Sequence, residues 1–148
     1  MKVTEEGFTV YHNFPIKELS NKVFKAITNP GDLVHWWPLK CSGVPELGAE
    51  YNFFFGEPYN WYGEVVKYKK NESFYIKMTK SDEDWNPTTF GFDLFEKDEG
   101  VTWVHFFHKG WVEQNNHFKH SSYCWALLLN GLKNYVEKGI IIPFEERN

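Results

Sequence analysis

The sequence has few cysteines, no long apolar run and no excess of basic residues. Two cysteines, Cys41 and Cys124, are too few for a disulfide framework, so we expect reduced thiols, although a single bridge between them stays open. The longest apolar clusters, "ALLL" and "IIIPF", are too short to span a bilayer, and "MKVTEEGFTV" lacks the pattern of a signal peptide. These absences predict a cytoplasmic protein with no membrane insertion.

Charge and aromatic content further limit the functions that the sequence allows. The net charge is −4, from 16 basic and 20 acidic residues, so the chain has no basic stripe and we expect no nucleic-acid partner. Aromatic residues, by contrast, are abundant, with 14 Phe, 8 Tyr and 7 Trp in 148 residues. Each buried aromatic side chain covers about 150–250 Å², so a core of this size holds only some of them. The others must line a cavity, cover an interface or lie on the surface.

Alternating apolar residues predict a series of strands. "GFTVYHNF" is typical of a first strand that ends at Pro15, and Lys40 to Gly48 is typical of a loop. Gly63, inside the strand "WYGEVVKYKK", indicates a bulge or a close approach of another group. The segment "VTWVHFFHKG" is apolar on both faces, so the pattern predicts a central or covered strand and leaves open which face of residues 101–108 lines a cavity. Further strands are predicted in "AEYNFFF", "SFYIKMT" and "TTFGFDLFE".

Helical spacing appears in three segments. "IKELSNKVFKAITN" forms the first helix and stops at Pro30, and Asp32 is the expected N-cap of a second, short helix through "LVHWW". The longest periodic segment runs from Glu113 to Lys138, with Gly139 placed as its C-cap. This order predicts an α+β domain in which an antiparallel sheet of about six strands packs against one long helix.

The segment "FPIKELSNKVFKAITNPGDLVHWWP" resembles the opening of START-like (SRPBCC) domains, and within them the family named for the activator of heat-shock protein 90 ATPase. The closing segment "SSYCWALLLNGLKNYVEKG" and the strand "ELGAEYNFFF" are also similar to that family. The resemblance implies a single domain over residues 1–148 with the helix-grip fold, in which a curved sheet wraps around the C-terminal helix and encloses a pocket. START-like proteins include lipid carriers, hormone binders, cyclases and co-chaperone domains, so the resemblance carries over no catalytic motif.

The sequence gives little support for a catalytic or metal-binding site. Of the six histidines, only His117 and His120 share a helical face, and no third ligand accompanies them, so we predict no metal site and no cofactor. Cys124 lies one helical turn beyond His120 but in an apolar run, which favours an inert buried thiol. Glu64 faces either a cavity or solvent. We therefore name no catalytic residue.

A cavity between the sheet and the long helix is the favoured site, although the same residues would also make a filled core. Aromatic side chains are predicted on the strand faces that meet the helix, and small and apolar ones on the helix itself. The predicted ligand-binding residues are Phe53, Trp61, Phe90, Phe92, Trp103, Ser121, Trp125 and Leu128.

The adjacent Trp36 and Trp37 present a second question. Neighbours on a helix point about 100° apart, so we expect no shared stacking platform. One ring should pack in the core and the other should border the cavity mouth or the surface, with a large cost of truncation for the first alone.

Three functions remain from the sequence. The first is the binding of a small hydrophobic or aromatic ligand without defined chemistry. The second is a protein-interaction or co-chaperone-like module that stimulates a heat-shock ATPase, with the aromatic surplus and the "IIIPF" tail as its interface and a homodimer as one form of it. The third is a cyclase or hydrolase that uses histidine or glutamate in the cavity.

Overall fold

The computed structural model describes residues 7–147. Strand β1 (Phe8–Ile16) is followed by helices α1 (Ser20–Thr28) and α2 (Pro30–Leu33). Six strands come next, namely β2 (Lys40–Ser42), β3 (Glu50–Phe54), β4 (Asn60–Lys69), β5 (Ser73–Lys80), β6 (Thr89–Asp98) and β7 (Val101–Trp111). The long helix α3 (Asn116–Lys138) and a short 3-10 helix (Phe144–Glu146) complete this part of the chain.

All the strands belong to one curved antiparallel sheet with the order β1-β7-β6-β5-β4-β3-β2. From β2 to β7 each strand pairs with the next along the chain, whereas β1 pairs with β7. Helix α3 packs on the concave face, where Trp125 contacts Phe106 with ring centroids 4.5 Å apart. The predicted α+β helix-grip fold is confirmed.

The described part of the chain has seven strands rather than six, because the predicted loop after Pro38 contains β2. This strand has three residues and pairs Cys41 with Phe53. Three residues hold barely one period of alternation, so the pattern alone does not reveal such a strand. The predicted end of β1 at Pro15 is also wrong. The strand continues to Ile16, since an edge strand tolerates proline on its unpaired side.

Strand parity follows the predicted alternation. Phe74, Ile76 and Met78 of β5 are buried, as are Phe90 and Phe92 of β6. In β7 the buried side chains are Thr102, Val104, Phe106 and His108, followed by Trp111 after the register shift with β1. The even-numbered residues from Thr102 to His108 therefore face the helix, which answers the question that the apolar pattern of residues 101–108 left open.

Gly63 fulfils the prediction of a close approach. A Cβ atom at this position would lie 2.5 Å from Cγ2 of Ile76, and the register between β4 and β5 shifts beside it, between Tyr62 and Gly63. A side chain here would have to displace the neighbouring strand.

The helix ends show which predicted caps form. Asn29, not Asp32, caps α2, because its Oδ1 accepts the backbone N–H of Gly31 at 3.0 Å. Asn115 caps α3 by accepting the N–H of Phe118 at 2.9 Å, so this helix begins slightly later than predicted. Gly139 ends α3 with φ of 69°, as expected for a left-handed C-cap.

Candidate functional site

A cleft of about 540 Å³ opens between the first half of α3, the β3–β4 hairpin, the connection from β5 to β6 and the C-terminal segment. Its size lies within the range of small-molecule sites, roughly 300–1,000 Å³. Within the described chain, seven of its fifteen lining residues are aromatic and one, Leu128, is aliphatic. With the imidazoles of His117 and His120, rings make up nine of these fifteen side chains.

Five of these rings touch one another in a closed circle, which we call the aromatic cup. Going around it, neighbouring ring centroids are 5.7, 5.1, 5.0, 5.7 and 4.9 Å apart. The members of the cup, in that order, are Trp37, Phe55, Trp61, Trp85 and Trp125. Because they come from four separate parts of the chain, the fold alone brings them together.

A layer of buried aromatic side chains lies behind the cup. Phe53 lies 5.0 Å from Trp37, and Phe90 lies 5.6 Å from Trp125, measured between ring centroids. Both phenylalanines are almost completely buried. They support the cup from the sheet side.

A chain of hydrogen bonds fixes two of the cup's tryptophans. Nε1 of Trp125 donates to Nδ1 of His108 at 3.1 Å, so the proton of the neutral imidazole is on Nε2, which donates to Oγ1 of Thr88 at 2.7 Å. The Thr88 hydroxyl in turn donates to the carbonyl of Trp85, whose own Nε1 donates to Oγ of Ser121 at 3.3 Å. The chain links α3, β7 and the β5–β6 connection.

His108 is held neutral by this environment. The side chain is fully buried, and desolvation, together with the nearby His117, lowers its pKa from 6.5 to about 3. Burial thus keeps the imidazole in the form that can both accept and donate a hydrogen bond.

The rim of the cleft carries titratable groups. Nδ1 of His117 lies 2.7 Å from Oδ2 of Asp84, and its Nε2 lies 3.7 Å from Oδ2 of Asp82. Nε2 of His120 lies 3.4 Å from Sγ of Cys124, whose pKa is raised by burial. A raised pKa disfavours the thiolate, so this pair lacks the activation that a nucleophilic thiol requires.

The C-terminal segment forms one wall of the cleft through Phe144, Glu145 and Arg147. Arg147 fastens it. Nη1 donates to the carbonyl of Val34 at 2.9 Å, with longer contacts to the carbonyls of Trp37 and Pro38 at 3.3 and 3.4 Å. Nε donates to the carbonyl of Ile142 at 2.8 Å.

The family model described as "Activator of Hsp90 ATPase homolog 1-like protein" matches residues 20–137. The chain belongs to this family. The match spans most of the chain, from α1 to the last turn of α3. No curated protein sequence matches the chain.

Solved structures agree with this family. The Aha1 dimer from Colwellia psychrerythraea is 28% identical with a TM-score of 0.80, covering 89% of this chain and 98% of that one. Protein MLL2253 from Mesorhizobium loti is 17% identical with a TM-score of 0.79, over 90% and 100% of the two chains. CalU16 from Micromonospora echinospora is 14% identical with a TM-score of 0.73, over 94% and 82%. Family and fold support a ligand-binding or co-chaperone-like module of the START-like type.

The structure divides the sequence-predicted site residues into three groups. Four of them line the cleft, namely Trp61, Ser121, Trp125 and Leu128. Three others, Phe53, Phe90 and Phe92, are buried in the aromatic core. Trp103 lies on the opposite face of β7, because the even-numbered residues face the helix in this part of the strand. Nζ of Lys97 lies 5.7 Å from the centroid of its ring.

The prediction for the paired tryptophans is right in one respect, because Trp37 lines the cleft, and wrong in another, because the two rings stack on each other. Trp36 and Trp37 are both buried, 2% and 5% exposed, and their rings stack at 24° with centroids 6.1 Å apart. Helix α2 ends at Leu33, and only turns continue as far as Trp36 and Trp37, so the 100° separation expected for neighbours in a regular helix does not apply to these two rings. Trp36 also donates from Nε1 to the carbonyl of Ala26 at 3.0 Å.

Sequence reasoning missed Trp85 and Phe55 as parts of the site, and it did not say which of the paired tryptophans borders the cavity. Trp85 lies in the acidic connection "KSDEDWNP" between β5 and β6, yet its side chain is buried. A lone tryptophan in an otherwise polar loop was the available signal.

The remaining candidates from the sequence are a glutamate, a metal site, a membrane span and the two cysteines. Glu64 is exposed on the outer face of the sheet. Within residues 7–147 no group of three or more His, Cys, Asp or Glu side chains is arranged to hold a metal ion. None of the helices described has the length and apolar character to cross a membrane. Cys41 and Cys124 are free, and burial raises the pKa of Cys41 to about 12.

Proposed function

We propose that this protein binds a small hydrophobic or aromatic ligand in the cleft, against the aromatic cup. The observation that carries the proposal is the set of five mutually contacting rings among the residues that line a cleft of about 540 Å³. Ring surfaces of this kind favour flat ligands that can stack or pack edge to face. The predicted ligand-binding residues that line the cleft, Trp61, Ser121, Trp125 and Leu128, keep that role in the proposal.

Burial of apolar area would supply most of the binding energy. A bicyclic aromatic ligand that removes about 200 Å² of apolar surface from water gains about 5 kcal/mol, before the cost of association is subtracted. Polar groups would orient it. Trp37 and Trp61 have no hydrogen-bond partner for their indole N–H among the residues described, so both can donate to a ligand oxygen.

Tryptophan fluorescence gives a direct test, because four of the seven tryptophans belong to the cup. The protein is titrated with 1-naphthol as the aromatic probe and with 1-decanol as an aliphatic comparison, and thermal shifts are measured in parallel. We expect 1-naphthol to quench the fluorescence, to raise the melting temperature and to bind more tightly than the alcohol.

Two tryptophan variants locate the site. Trp61→Ala removes a half-buried ring of the cup and should weaken 1-naphthol binding by about tenfold, since a lost stacking contact contributes about 1 kcal/mol or more. Trp103→Ala removes a ring from the opposite face and should leave binding unchanged. Equal effects of the two variants, or no binding of either probe, would contradict the proposal.

A co-chaperone-like interaction is the second candidate. It is supported by the description of the family, by the dimer that the 28% identical relative forms, and by the exposed pair Ile140 and Ile141 in the C-terminal segment. Here the tail would form the interface, either with a heat-shock ATPase or with a second copy.

Sedimentation velocity tests the homodimer, and an ATPase assay with the Hsp90 of the same organism tests the stimulation. Ile141→Asp should weaken the homodimer or the stimulation of the ATPase, whichever the protein shows. The matched control is Val112→Asp, which changes an apolar residue that is 83% exposed and lies outside the C-terminal segment. A monomer at all concentrations, with no stimulation of the ATPase, would remove this candidate.

A further inference from the structure

We infer that the ligand of the aromatic cup is a small organic cation, of the class in which a quaternary or tertiary ammonium group is attached to an apolar or aromatic body. This inference rests on the proposed function and adds the charge of the ligand to it. It is carried by the kind of surface in the cleft, by the distribution of cations over the protein's aromatic rings and by the charges at the rim.

The surface of the cleft is unusual for a purely apolar ligand. A site for an alkyl chain would present aliphatic side chains, but Leu128 is the single aliphatic residue lining the described part of this cleft. Four of the five rings in the cup are indoles. The face of an indole is the strongest of the aromatic faces at attracting a cation, because its quadrupole is negative above and below the ring.

Among the residues described, Arg147 lies over a ring of the cleft wall, with its guanidinium carbon 5.8 Å from the ring centroid of Phe144, but the protein's other cations over aromatic rings lie on the other side of the sheet. Five lysine ammonium groups lie 4.9–5.8 Å from ring centroids there. The pairs are Lys40 with Phe54, Lys67 with Tyr75, Lys80 with Tyr62, Lys97 with Trp103 and Lys109 with Phe107. No such cation lies over any ring of the cup within residues 7–147, so its rings keep their capacity for one.

The rim of the cleft is acidic. Asp82 and Glu145 line it directly, and Asp84 lies beside His117 at the same edge. Asp82 and Asp84 lie against His117, whereas Glu145 is exposed, and Arg147 is the one Arg or Lys side chain that lines the described part of the cleft. No lysine is among the lining residues of the part of the chain that the structure describes.

Arg147 is committed to a structural role. Its Nε and Nη1 donate to backbone carbonyls on both sides of the cleft wall, and burial lowers its pKa. Carbonyl oxygens therefore surround much of the guanidinium. It fastens the C-terminal segment, and the exposed carboxylate of Glu145 at the rim remains available to a ligand cation.

Three ligands of similar size test the inference. Benzyltrimethylammonium carries the cation, neopentylbenzene is its neutral isostere, with carbon in place of nitrogen, and phenylacetate carries a negative charge. Binding is measured by tryptophan fluorescence at constant ionic strength. We expect the cation to bind about tenfold more tightly than the isostere, and phenylacetate to bind most weakly.

Variants separate the rings from the carboxylates. Glu145→Gln changes an exposed side chain and should reduce the preference for the cation over the isostere without affecting the isostere itself. Trp61→Ala should weaken both ligands, and the cation more than the isostere, whereas Trp103→Ala should weaken neither.

Each outcome has one meaning. If neopentylbenzene binds as tightly as benzyltrimethylammonium, or if phenylacetate binds most tightly, the inferred charge is wrong while the proposed binding of an apolar or aromatic ligand stands. If none of the three ligands and neither of the neutral probes binds, the proposed function is wrong as well. A preference for the cation that persists unchanged in Trp61→Ala would place the cation outside the cup and would also overturn the inference.

Discussion

His108 should make this fold sensitive to acid in a way that can be measured residue by residue. Its imidazole is fully buried between Trp125 and Thr88, and desolvation lowers its pKa from 6.5 to about 3. A protonated imidazole would lose its acceptor, because Nδ1 would then carry a proton directed at the N–H of Trp125. Between about pH 3 and pH 6.5, His108 is therefore protonated in the unfolded chain but not in the folded protein.

The sign and size of the effect follow from this difference. Above pH 6.5 both states are neutral at His108, and its contribution to the free energy of unfolding is fully present. As the pH falls from 6.5 toward 3, the unfolded chain binds one more proton than the folded chain, so stability falls by about 1.4 kcal/mol per pH unit. Over the whole interval the loss approaches about 5 kcal/mol, which is comparable to the stability of an ordinary domain, roughly 5–15 kcal/mol.

Urea unfolding at several pH values between 7 and 4 measures this slope. The control is His108→Gln, whose amide can still accept from Trp125 and donate to Thr88 but does not titrate. Carboxylates contribute to the acid loss of both proteins and cancel in the difference. We expect the stability of the wild-type protein to fall more steeply below pH 6.5 than that of the variant, by roughly 1 kcal/mol per pH unit. Parallel curves would refute the account of His108.

Three further changes test the packing. Trp36→Ala and Trp37→Ala should each lower the free energy of unfolding by about 3–5 kcal/mol in urea titrations, and a small effect of either would show that its ring is not buried. Gly91→Ala should destabilise by about 1–3 kcal/mol, since its Cβ would lie 2.4 Å from an aromatic ring, whereas Gly131→Ala, with no atom within 4 Å, should be neutral or stabilising. Arg147→Ala should speed hydrogen exchange in residues 140–147 without altering exchange in the sheet.

The fold was predictable from the sequence because its longer elements have clear periods. Strands β3 to β7 and helix α3 each repeat their apolar residues several times, and the opening segment carries the family pattern. The three-residue β2 lies below the length at which alternation can be detected. Its neighbour Pro38 and the nearby Gly43 strengthened the wrong prediction of a loop.

The cleft was only partly predictable, for a different reason. Periodicity shows which face of a strand or helix a side chain is on, but not how deeply the side chain is buried. Phe90 in the core and Trp61 at the cleft were therefore both predicted to bind the ligand. On β7 both faces are apolar, and only the pairing with its neighbours shows that Trp103 faces outward. Trp85 lies in a loop, where residues have no regular spacing from which burial could be predicted.

The two sides of the cleft differ in how firmly they are held, and this difference bears on selectivity. Trp85 and Trp125 are fixed by hydrogen bonds that run through Ser121 and His108 to the sheet, so the proposed ligand would find these rings already placed and would lose little ordering entropy on binding. On the opposite side, Phe55 and Trp61 belong to a hairpin, and the C-terminal segment depends largely on Arg147. Ring-stacking geometry is therefore set by the rigid side. Adaptation to ligand size must come from the hairpin and the C-terminal segment, because these walls can shift without breaking the buried hydrogen-bond chain.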